Sequence, residues 1–212
     1  MRCFIIGNGP SLAHTPLDRL QDDITIAVNN VHLIYPHTDW RPTIYVRAEQ
    51  GDTLEPEHWK TSIQTQMDGV AEIWCNDYFL RPRFGIENIR PVKVIKSCAH
   101  YLRHFDSPDC PHMLHMPILC TFGSSVNVAI QIAMMKELSP IYLVGCDLGY
   151  KDGQHNHFTN DYEHGREQPS RYANLDTLAA HMIAARSGYE IYNATLGGEL
   201  EVYPRVDLEA IL

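Results

Sequence analysis

The chain has 212 residues, 44% hydrophobic and 20% charged, which is the make-up of an ordinary globular protein with one sizeable core. A formal net charge of −9 argues against general nucleic-acid binding, which draws on a basic face, and leaves room for a local site that takes a small anion. No stretch approaches the roughly 20 apolar residues of a membrane span, and no hydrophobic segment with a cleavage site opens the chain.

The first apolar run, Arg2–Ile6, reads as a strand that stops at Gly7. Ile24–Val28 is a second and ends at Asn29-Asn30; Thr43–Val46, introduced by Pro42, is a third. Glu72–Cys75 and Lys93–Ile95 are weaker strand signals, Ile141–Val144 is a strong one closed by Gly145, and Glu190–Tyr192 is the last. Short β-branched runs bounded by turn residues predict strands, and their continuous apolarity predicts burial on both faces. Helical spacing marks Ser124–Leu138, through Val126, Val128, Ala129, Ile132, Ala133 and Met135, and Tyr172–Arg186, through Leu175, Leu178, Ala179, Met182 and Ile183. Both faces read as core packing. Strands alternating with helices predict an α/β fold, a Rossmann-like and mostly parallel sheet flanked by helices. Residues 1–212 read as a single domain. Phe79–Cys120 has little periodicity and is expected to be an irregular insertion or lid.

Chemistry gathers at the expected strand ends. Gly7-Asn8-Gly9-Pro10-Ser11-Leu12 follows the first strand directly; its glycines permit a tight turn with amides close to an anion, and Ser11 is placed to open a helix. It is neither a GxGxxG fingerprint nor a lysine-bearing phosphate loop, and a plain turn is the bland alternative. Asn29 and Asn30 offer amides suited to reading a base or ribose, although such a pair taken alone is more often a plain turn. Gly123-Ser124-Ser125 opens the long helix, where hydroxyls and the helix N-terminus favour an anion. Asp147, in Gly145-Cys146-Asp147-Leu148-Gly149-Tyr150, follows a buried strand and is placed to orient a ligand, hold a metal or cap a turn. Beyond it, His155 and His157 are candidate proton acceptors, and Tyr150 and Tyr162 candidate donors to a departing phosphate.

Of the six cysteines, Cys3, Cys75 and Cys146 sit in or beside apolar runs and read as buried thiols. Cys98, His100, His104, Cys110, His112, His115 and Cys120 crowd one irregular stretch. Their spacing matches no zinc finger or ribbon and no CxxC anchors them, so no metal site is assigned. This cysteine usage, with no signal peptide, predicts a reducing, cytoplasmic setting.

The order of these motifs, together with the closing stretch from Tyr192 to Val206, resembles the family that joins 6-hydroxymethylpterin diphosphokinase-like proteins to the bacterial sialyltransferases of glycosyltransferase family 42. The resemblance covers nearly the whole chain. It implies a glycosyltransferase in surface-glycan assembly whose donor is a CMP-linked acidic sugar and whose acceptor is a glycan or small molecule, with no cofactor. Under it, Asn8 and Asn30 touch the nucleotide, and Ser124 or Ser125 lies near its phosphate or the sugar carboxylate. Tyr150 and Tyr162 steady the leaving phosphate, and His155, His157 or His164 is the base. Arg47 stands where the resemblance leads one to expect an asparagine. The diphosphokinase branch implies ATP and Mg²⁺ instead, with Asp147 and Asp152 near them. A nucleotide-binding protein without transfer activity is the third reading, and a homo-oligomer is compatible with all three.

Overall fold

The computed structural model describes residues 1–48, 62–66, 69–76, 89–95, 118–120, 124–149, 156–163, 178, 181–182 and 184–212. Eight strands form one sheet: β1 (Cys3–Ile6), β2 (Ile24–Val28), β3 (Ile44–Arg47), β4 (Glu72–Asn76), β5 (Ile89–Ile95), β6 (Ile118–Cys120), β7 (Ile141–Val144) and β8 (Ile191–Asn193). Their order is β6-β5-β4-β3-β2-β1-β7-β8, and every pairing is parallel. The expected α/β, Rossmann-like sheet is therefore present.

Alternation along the strands divides the core. Cys3, Ile5, Ile26, Val28, Ile44 and Val46 face one side, where α1 (Ser125–Met135) lays down Val128, Ala129, Ile132 and Ala133. Phe4, Ile6, Ala27 and Tyr45 face the other. That side is covered by Leu12, Leu17, Leu20, Val31 and Ile34, all carried on 3₁₀ turns. Both faces are thus apolar, as a parallel sheet requires.

Three expectations change in detail. Ser11 does not open an α-helix: Pro10–His14 is a single 3₁₀ segment. The stretch 79–120, read as irregular, contributes β5 and β6 to the sheet; its other residues lie outside those described. Pro91 obscured β5, because proline within a strand usually argues against one. β5 meets β4 through Ile89–Val92 and β6 through Lys93–Ile95, so among the described residues Pro91 is paired on its β4 side alone. Thirdly, the part of Tyr172–Arg186 that is described is helical at 178, 181, 182, 184 and 185, but its buried side runs through His181 and Ala184, while Leu178 is 39% exposed.

Candidate functional site

Strand order reverses at β1: β2 lies on one side and β7 on the other. At such a switch point the connections leave in opposite directions and open a crevice beyond the strand ends. A cleft enclosing about 640 Å³, its open mouth included, occupies that crevice. Gly7–Pro10, Val28-Asn29, Ser124–Val126, Gly145–Gly149, Asn156-His157, Tyr162, His181 and Leu200 line it.

The turns after β1 and β7 interlock. The Gly7 amide donates to Val144 and the Gly9 amide to the Gly145 carbonyl, both at 2.8 Å. A Cβ on Gly9 would stand 1.9 Å from Asp147 Oδ2, so only glycine admits the carboxylate there. Asp147 accepts from Ser11 Oγ at 2.7 Å and from the Ser11 amide at 3.2 Å. The anion drawn to this turn is thus a side chain of the protein itself. Burial raises the Asp147 carboxyl above its ordinary pKa, and the bonds from Ser11 oppose that shift.

Asn8 donates from Nδ2 to the Val28 carbonyl at 2.8 Å, while its buried Oδ1 has no hydrogen-bond partner among the described residues. Asn29 holds φ +52°, a left-handed conformation that asparagine tolerates better than most residues. Its carbonyl accepts from Tyr45 Oη and its Oδ1 from Ser125 Oγ, which leaves Nδ2 as its remaining donor group. Asn30 does not line the cleft. Its Oδ1 accepts from Arg47, 3% exposed, and its Nδ2 donates to the Tyr162 carbonyl at 3.2 Å. Both ends of the Asn30 amide thus bond to groups of the protein behind the cleft lining.

Ser124 caps α1, its hydroxyl oxygen accepting from the Val126 amide; the hydroxyl proton remains to be donated. His157 and Tyr162, which also line the cleft, stack with ring centroids 3.7 Å apart and planes 6° from parallel. Phe158 meets Tyr162 edge-on, and its amide donates to the Asn8 carbonyl, tying this loop to the β1 turn. Loss of water around the ring lowers the His157 pKa to about 4, so the imidazole is neutral near pH 7. His155, His164, Tyr150, Gly123 and Asp152 lie outside the described residues, as does the histidine- and cysteine-rich stretch apart from Cys120. The thiols of Cys3, Cys75 and Cys146 are buried and free, each pushed up to about 12 by desolvation. That makes Cys146 an inert part of the wall.

His181 was missed by sequence reasoning. It sits 2% exposed on the segment before β8 and lines the cleft, as Cys146 and Leu200 do. Its place in a helical apolar pattern reads as core, and its partner Tyr203 lies 22 residues away. No helix among the described residues is long and apolar enough to cross a membrane.

Among solved structures, the chain is similar to the MAf glycosyltransferase from Magnetospirillum magneticum AMB-1, with a TM-score of 0.63 and 14% sequence identity over 99% of this chain and 34% of that one. It spans about a third of that protein's length, and at this identity the likeness is one of fold. No protein-family model and no curated protein matches the sequence.

Proposed function

We propose that the protein is a glycosyltransferase acting in the cytoplasm on surface-glycan precursors, with a CMP-linked acidic sugar as donor and no metal or cofactor. The observation that carries this reading is the neutral His157, stacked on Tyr162, lining one switch-point cleft with Asn8, Asn29 and Ser124. The fold it shares with a known glycosyltransferase agrees with it.

The nucleotide lies over the β1 and β2 ends. There the buried Asn8 Oδ1 takes a hydrogen bond from a base amine or ribose hydroxyl, and Asn29 Nδ2 donates to a carbonyl or hydroxyl oxygen. The phosphate faces Ser124 and the start of α1, where helix amides and the serine hydroxyl favour negative charge. The acceptor hydroxyl oxygen then bonds to the anomeric carbon while that carbon's bond to the phosphate oxygen breaks. The electron pair leaves with the phosphate, and the acceptor proton passes to His157. Tyr162 and Tyr150 donate to the departing oxygen. A resting pKa near 4 makes His157 a weak base, but a donor with two negative charges, on its phosphate and its sugar carboxylate, raises that pKa on binding. An acidic sugar therefore suits this histidine better than a neutral one.

Thermal unfolding with CMP, UDP, ADP or ATP, each with Mg²⁺ and with EDTA, tests the reading. A ligand at a hundredfold excess over its Kd adds roughly 2.7 kcal/mol to folded-state stability. Stabilisation by CMP that persists in EDTA is expected. Stabilisation by ATP with Mg²⁺ alone would replace this reading with the diphosphokinase one, in which Asp147 works at a metal.

A further inference from the structure

The geometry points to a second ligand contact in the cleft that His157 lines: His181, fixed by Tyr203 as the tautomer that carries its proton on Nε2, donates that hydrogen to an anionic oxygen of the bound ligand. The identity of that oxygen as one of the nucleotide phosphate rests on the proposed function; the donor itself rests on the pair.

His181 Nδ1 and Tyr203 Oη are 2.8 Å apart, and the rings meet edge to face at 90° with centroids 5.5 Å apart. Both residues are buried, at 2% and 3% exposure. The bond has two formal directions. If Nδ1–H donated to Oη, the tyrosine proton would need an acceptor of its own, and none faces it among the described residues. Leaving a buried hydroxyl proton unbonded costs about 1–3 kcal/mol. If instead Oη–H donates to Nδ1, that proton is satisfied and the ring proton must sit on Nε2. Tyr203 keeps its proton, since burial raises its pKa well above 10. Burial likewise holds His181 near pKa 4, so the ring is neutral and the choice of tautomer is meaningful.

With Nδ1 occupied, Nε2–H is the polar edge the ring has left, and His181 lines the cleft. Leu200 and the thiol of Cys146 line the same cleft, and neither competes strongly for the hydrogen. A neutral donor in apolar surroundings suits an oxyanion: the bond is strengthened by the charge on the acceptor and by the low local polarity. It is also selective. It offers nothing to a ligand ammonium group and favours an anionic oxygen over a neutral one. Tyr203 is a positioning residue here, because it acts only through the ring.

Long-range ¹⁵N–¹H spectra of the histidines, with titration calorimetry, test this. In the free protein His181 should show the Nε2–H tautomer, and Tyr203→Phe should convert it to a mixture or to Nδ1–H. A wild-type Nδ1–H form overturns the inference. His181→Leu should weaken CMP binding roughly 10- to 100-fold while leaving cytidine within about twofold, and His181→Gln, which keeps an N–H near the Nε2 position, should recover most of the loss. Equal effects on CMP and cytidine overturn it. Inorganic pyrophosphate should shift the His181 Nε2–H resonance in wild type whether or not CMP binds. Failure of CMP to bind, with that shift present, counts against the proposed donor alone; absence of the shift overturns the His181 contact. Should His181→Leu not fold, the tautomer in Tyr203→Phe and the pyrophosphate shift still decide.

Discussion

His157 and Tyr162 overlap ring on ring, so a substitution that deletes the ring would remove packing and base together. His157→Phe separates them: it keeps an aromatic face on Tyr162 and removes the nitrogen. The expected result is turnover reduced by about 10²–10⁴-fold, with the nucleotide-induced rise in Tm close to that of wild type; undiminished turnover would remove His157 from the reaction. Much of this site could be read before any fold was known, because Gly7, Asn8, Asn29, Ser124, Asp147 and His157 lie at or soon after the ends of strands and at the start of a helix. Chain position alone put them on one edge. What could not be read was where their polar atoms point. Asn29 and Asn30 are neighbours in sequence, yet the left-handed backbone at Asn29 leaves one amide on the cleft and the other behind its wall. Asp147 was open to several roles, and only its bonds from Ser11 and the close approach that Gly9 permits reveal that it fills the Ser11 turn.

At the scale of elements, α1 carries a structural and a binding role at one residue. Ser124 is its N-cap, and loss of such a cap costs about 1 kcal/mol. Ser124→Ala should therefore lower the urea-derived stability by about that amount and weaken nucleotide binding as well. Ser124→Asp divides the roles: aspartate caps as well as serine does, but it sets a negative charge before the ligand phosphate. Stability within a few tenths of a kcal/mol of wild type, with CMP binding at least about tenfold weaker, is expected. Retained CMP affinity in Ser124→Asp would place the phosphate elsewhere. α1 was legible because eleven residues give the helical period three turns to declare itself. The first crossovers were not, since 3₁₀ turns of four to seven residues are too short for any period. The segment before β8 misled differently: its apolar residues gave the right element, but a buried histidine turned the true inner face away from Leu178. Arg205 likewise showed nothing of its role in sequence. It donates to the carbonyls of Thr195, Gly197 and Gly198, holding the loop whose Glu199 amide bonds the Asp147 carbonyl.

For the whole molecule, the two cleft histidines couple stability to pH. Folding lowers His157 and His181 from 6.5 to about 4 each, by desolvation. Between those values the unfolded chain binds protons that the folded one refuses, so stability is full above about pH 6.5 and falls as the pH drops toward 4. At about 1.4 kcal/mol per pH unit, a fully buried histidine accounts for roughly 2 kcal/mol of loss between pH 7 and pH 5, and half-buried His157 for somewhat less. Asp147 acts with the opposite sign. Its carboxyl is raised in the folded state, so it offsets part of the loss as the acid range is entered. Urea unfolding at pH 8, 7, 6 and 5 should give a midpoint that is level at first and then falls, with an unchanged slope. In His181→Leu the fall from pH 7 to pH 5 should shrink by about 2 kcal/mol, since one of the two refusing groups is gone. A wild-type midpoint that stays constant down to pH 5 would mean that these rings accept protons in the folded protein, and hence that water reaches them. The dry cleft on which both the His157 and the His181 roles depend would then not exist.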